Sequence, residues 1–158
     1  MKHVLNTIVV MMLICAVPAM AGGRAWAHEG HEHHAQHGGA LVGLEYDGAE
    51  VAHLELVLDA DAGALTAYVL DAEAEKAVRL PQESMEVTVR LPEQDPLEIS
   101  LAAKENVLTG ETVGDTSEFT AQSDRLKGAE RFDASVASIF VLGYEVADTN
   151  FSYPEGTH

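Results

Sequence analysis

Met85-Glu86-Val87-Thr88-Val89-Arg90-Leu91 puts four apolar side chains on one side of an extended chain and three polar ones on the other. A period of two over seven residues is the mark of a half-buried β-strand. Pro92 has no amide hydrogen to give to a ladder and ends it. Leu97, Ile99 and Leu101 repeat the pattern against Glu98 and Ser100. Upstream, Val51 to Leu58 sets Ala52, Leu54, Leu56 and Leu58 against His53 and Glu55. Asp59-Ala60-Asp61-Ala62-Gly63 then turns the chain into a returning strand, Leu65 to Leu70. Downstream, Glu118 to Ala121 is a short strand, and Ser123 to Gly128 is one helical turn closed by glycine. Arg131 to Leu142 is expected as one long strand with Phe132, Ala134, Val136 and Phe140 on its inner face. A hairpin at Gly143 and Tyr144 to Ala147 follows, with Phe151-Ser152-Tyr153 as an edge strand. About seven to nine short strands separated by turn residues predict an all-β fold, here an immunoglobulin-like two-sheet β-sandwich over residues 40–158.

The whole chain has 158 residues, room for one domain and a leader. Twenty-six Asp and Glu against nine Lys and Arg give a net charge of -17, which repels phosphate backbones and argues against nucleic acid as a partner. Hydrophobic residues at 47% suffice for a packed core, so the charge belongs to a solvated surface and not to disorder.

Met1-Lys2-His3, an apolar run from Val4 to Val17 and Pro18-Ala19-Met20-Ala21 have the order of a secretory signal peptide, too short to span a bilayer. Residues 1–21 are taken as the leader, with Ala25-Trp26-Ala27 as an alternative cleavage signal. The mature protein is then exported, periplasmic and without stable membrane insertion. Either cut removes Cys15, the one cysteine, which leaves neither disulfides nor thiolate ligands. Only Met85 of the five methionines remains, which argues against copper(I).

Residues 22–39 carry Gly, Ala, His and Glu without apolar periodicity and are expected to form a flexible arm. His28, His31, His33, His34 and His37 fall there within ten residues, five of the eight histidines. Neutral imidazole binds zinc, nickel, cobalt and copper(II). These five are the candidate metal ligands of a divalent transition-metal protein. Should cleavage follow Ala27, His28 would pair its ring with a free amine as a copper(II) chelate. His53, beside Glu55 on the outer face of its strand, is expected as an exposed strand histidine, with the alternative that the arm folds back to it as a fixed ligand.

Other chemistry is not supported. The HExxH pattern fails, since Glu32 stands four beyond His28 and Ala35 four beyond His31. A calcium loop at Asp59 would have Gly63 where an oxygen ligand belongs, so that stretch is a hairpin turn. With no cysteine nucleophile, GxSxG or P-loop, no catalytic residue is assigned and the chain is not expected to be an enzyme.

His37-Gly38-Gly39, Leu54 to Asp59, Leu65 to Asp71, Met85 to Val89 and Gly114 to Phe119 together resemble small periplasmic proteins with a His-rich leader. They are also similar to the amino-terminal domains of periplasmic adaptor subunits of heavy-metal efflux pumps. The resemblance implies a β domain that presents a metal-collecting arm near an efflux component. It departs from the adaptors in that no hairpin, lipoyl or barrel domain follows. The alternative function is an envelope protein–protein interaction module in which the histidines are an incidental linker.

Overall fold

The computed structural model describes residues 33–157; the leader, both cleavage signals, His28, His31 and His158 lie outside them. Ten strands follow one another: β1 Ala40–Tyr46, β2 Ala49–Asp59, β3 Ala64–Leu70, β4 Ser84–Arg90, β5 Leu97–Ala103, β6 Glu118–Gln122, β7 Phe132–Val136, β8 Ile139–Val141, β9 Tyr144–Val146 and β10 Thr149–Tyr153. A single 3₁₀ turn, Asp124–Leu126, stands between β6 and β7 with Ser123 as its N-cap. All of this is the all-β fold that the alternation predicts.

The sandwich is corrected. Eight strands join one antiparallel sheet in the order β1-β2-β3-β6-β5-β4-β7-β10, and β8 and β9 form a separate hairpin. Strands β4, β5 and β6 run as a meander, with β7 returning beside β4, a Greek key. The sheet curls until its edges nearly meet. Past β10, the Thr157 N–H donates to the Leu41 carbonyl at 2.9 Å and the Gly43 N–H donates to Thr157 Oγ1 at 2.8 Å. Gly156 makes this approach possible, since a Cβ there would lie 2.2 Å from the Leu41 oxygen. Alternation tells which face a residue takes and not which strands are neighbours, so it could not separate two facing sheets from one sheet nearly closed into a barrel.

Inside lies one apolar cluster: Val42 and Leu44 of β1, Leu54 and Leu56 of β2, Leu65 and Val69 of β3, Met85, Val87 and Val89 of β4, Leu101, Phe119, Phe132, Val136 and Phe151. Leu126 of the 3₁₀ turn belongs to the same cluster. The expected long strand from Arg131 to Leu142 breaks after Val136, where the Ala137 N–H donates to the Glu86 carbonyl at 2.9 Å. The break shifts the alternation by one residue. Ile139 and Val141 point inward, and Phe140, expected in the core, is about half exposed. β1 was not singled out as a strand, although Asp47-Gly48, both at positive φ between the paired Tyr46 and Ala49, is a two-residue hairpin turn of the favoured kind.

Candidate metal centre

β2 carries the site on its outer face. From Ala52 to Leu56 the strand alternates regularly, with Ala52, Leu54 and Leu56 in the core and His53 and Glu55 facing away from it. Alternation continued to the strand's start would send Glu50 to the face opposite His53. It is interrupted there: Leu44 pairs with Ala52 but Glu45 pairs with Glu50, so Val51 is an extra residue in the ladder. A bulge of this kind re-aims the side chains beyond it. Glu50 Oε1 thereby comes within 3.2 Å of His53 Nε2.

The third member comes from outside the sheet. His33 Nε2 lies 3.8 Å from the same Glu50 oxygen, and the His33 and His53 rings are tilted by 53° with centroids 4.7 Å apart. One ligand atom from each of His33, Glu50 and His53 falls within 4.8 Å of the others. Both rings are braced from behind. Nδ1 of His53 donates to the Asp71 carbonyl at 3.1 Å, and Nδ1 of His33 donates to the Glu73 carbonyl at 3.3 Å. A carbonyl only accepts, so each Nδ1 carries a hydrogen, and Nε2, the nitrogen that a metal would take from the neutral ring, is the one each histidine turns toward Glu50. Metal-binding histidines are held in this way, with the second nitrogen donating to a carbonyl or carboxylate.

One turn provides both carbonyls. Asp71 Oδ1 accepts from the N–H groups of Glu75 and Lys76 at 2.8 and 3.0 Å, and Ala74 at φ 56 reverses the chain. Two imidazole nitrogens and a carboxylate oxygen suit zinc, cobalt or nickel. At a zinc–nitrogen distance near 2.1 Å, tetrahedral ligands stand about 3.4 Å apart. The two separations of 3.2 and 3.8 Å bracket that value.

Glu55 ties down the segment that brings His33. Its Oε1 accepts from the N–H groups of His37 and Gly39 at 2.6 and 3.0 Å, and its Oε2 accepts from the Gln36 N–H at 2.9 Å and His37 Nδ1 at 2.8 Å. Burial alone would push the Glu55 carboxyl up; the bonds from Gly39 and His37 outweigh it and hold the group below its ordinary value. The His37 ring lies flat on Tyr68, 3.8 Å between centroids and 9° from parallel. Gln36 Nε2 donates to the Ala74 and Glu75 carbonyls at 2.6 and 2.7 Å. Ala35 packs against Leu41, Leu70 and Ala74. Gly39 sits where a Cβ would be 2.3 Å from the Leu56 oxygen, so this part of the chain can lie directly on β2.

The five expected ligands thus fare differently. His33 enters the cluster, His37 serves the contact with Glu55, His34 is exposed, and His28 and His31 fall outside the described residues. His53, expected as exposed, has 0% exposure, as has Glu55. Residues 33–37 cover the outer face there, which is the alternative in which the arm folds back. Glu50 was missed, because strand alternation assigns it to the wrong face. Asp59-Ala60-Asp61-Ala62-Gly63 is the β2–β3 turn, in which Asp59 Oδ1 accepts from the N–H groups of Asp61 and Ala62 at 3.1 and 3.0 Å. Comparison with protein-family models, with curated proteins and with solved structures finds no match to this chain.

Proposed function

We propose that this is an exported, periplasmic protein that binds a divalent transition metal through His33, Glu50 and His53, and buffers it or hands it on beside a heavy-metal efflux component. The observation that carries the reading is the convergence of two braced imidazoles and one carboxylate, each imidazole presenting Nε2. Export rests on the leader pattern of residues 1–21, and the efflux setting on the resemblance described above. His28, His31 and His34, which flank His33 in the sequence, add labile ligands to this fixed centre. A loose tract collects metal and a preorganised site retains it, a pairing suited to capture and transfer. Zinc, cobalt and nickel fit the donor set best; copper(II) would draw more on the loose histidines.

Calorimetric titration of the exported protein with zinc, nickel, cobalt and copper(II) tests this, run beside His53→Ala and a version lacking residues 28–37. Sub-micromolar binding of one metal that weakens at least about a hundredfold in His53→Ala is expected, since that change removes a ligand and its brace together. Binding that vanishes with residues 28–37 but ignores His53→Ala would overturn the fixed centre and leave only a loose tract.

A second reading, the envelope interaction module, has one observation in its favour. Val107 and Leu108 are 96% and 98% exposed at a loop tip, where the Leu108 N–H donates to Asn106 Oδ1 at 3.0 Å and Arg79 Nη2 donates to the Thr109 carbonyl at 2.6 Å. A braced tip that shows two apolar side chains to solvent suits contact with another protein. Replacing both by serine would abolish capture of that partner and leave metal binding unchanged.

A further inference from the structure

We propose that Glu55 is the positioning residue of the metal centre: by gathering four N–H donors of residues 36–39 onto β2 it fixes where His33 stands. The inference rests on the metal-binding reading and goes one step further, to what sets affinity at that site. Glu50 and His53 belong to β2 and are held by the strand itself. His33 precedes β1, and residues 33–39 reach the sheet through side-chain anchors. Glu55 is the largest of these, accepting at both oxygens from Gln36, Gly39 and twice from His37. The first of its donors lies three residues beyond His33, so the contact governs the approach of that ring directly.

Glu55 is not itself in the cluster, as its two oxygens are turned to the segment and not to Nε2 of either histidine. Its geometry also demands a carboxylate. Glutamine at this place has one oxygen, so whichever way the amide turns, two N–H donors of the segment face an NH₂ group. The segment would lift, and its ordering would have to accompany metal binding instead of preceding it.

The test is a double-mutant cycle with zinc, using competition against a chromophoric chelator. The exported protein would carry alanine for His28, His31 and His34, so that loose imidazoles do not mask the centre. Glu55→Gln is expected to weaken zinc about tenfold or more, the range for groups that orient ligands. In a His33→Ala background the same change is expected to do nothing, because there is no ligand left to position. Gly39→Ala, whose Cβ would meet the Leu56 oxygen at 2.3 Å, should reproduce the loss with Glu55 intact and no change of charge.

An equal loss with and without His33 would show that the carboxylate acts through its charge or through general stability, and would overturn the proposal. So would unchanged affinity in folded Glu55→Gln. If circular dichroism shows Glu55→Gln unfolded, His37→Ala keeps Glu55 in place, removes one of the four hydrogen bonds together with the stacking on Tyr68, and must give a smaller loss that again depends on His33. Zinc binding no tighter in the starting protein than in His53→Ala would overturn the metal centre itself and this inference with it. Loss in His53→Ala beside equal losses across the cycle would overturn the positioning role alone.

Discussion

His53 and Glu55 occupy positions of β2 that the alternation marks as outer, and the structure keeps them there while hiding both from solvent. The pattern of a strand tells only which face a side chain takes. What covers that face comes from residues 33–39, whose composition gives no hint of where they lie. Polar residues buried on an outer face need partners, and here Asp71, Glu50 and the segment itself supply them. Glu111 poses the same question elsewhere. Burial would push its carboxyl up, but hydrogen bonds from Ser117 Oγ, Thr109 Oγ1 and the Ser117 N–H, with Arg79 nearby, hold it below its ordinary value. A carboxyl depressed in the folded state stabilises above its unfolded value and loses that contribution as pH falls through the folded one. Glu111→Gln should therefore cost about 1–3 kcal/mol near neutrality, by leaving buried Ser117 donors poorly matched. Urea denaturation of both proteins should show the gap narrowing as pH falls below the ordinary carboxyl range; a gap that is the same at every pH would contradict the hydrogen-bonded carboxylate.

Among the elements, β4, β5 and β3 were legible because their alternation is uninterrupted. Elements went astray wherever one residue is inserted or one turn breaks a run. The extra Val51 re-aims Glu50, and the break at Ala137-Ser138 exchanges Phe140 for Ile139 and Val141 in the core. Both are shifts of one position, and a period of two inverts under such a shift. That was the main obstacle to finding the carboxylate of the metal centre. Truncation separates the two versions of the β7–β8 region. Ile139→Ala should cost about 2–5 kcal/mol as a buried aliphatic residue, and Phe140→Ala less than about 1 kcal/mol, in chemical denaturation. The reverse order would restore the uninterrupted strand from Arg131 to Leu142.

At the scale of the molecule, a nearly closed sheet needs its edges brought together, and residues 156–157 do this against Leu41 and Gly43. Gly156→Ala at φ 73 would drive a Cβ into the Leu41 backbone. It should lower unfolding free energy by at least about 2 kcal/mol and speed amide exchange at Thr157 and Gly43. Wild-type exchange rates at those amides in the variant would show the seam to be unimportant. The charge of -17 acts over the same scale. Self-repulsion of a compact acidic surface is screened by salt, so the melting temperature is expected to rise between about 10 and 300 mM sodium chloride.

The seam also has a consequence in time. Gly43 and Thr157 are separated by 114 positions, and closing so long a loop has to wait for the strands between them to be laid down. Closure is thus expected late in refolding, and until it happens β1 and β10 present bare ladder edges on which a second chain can grow.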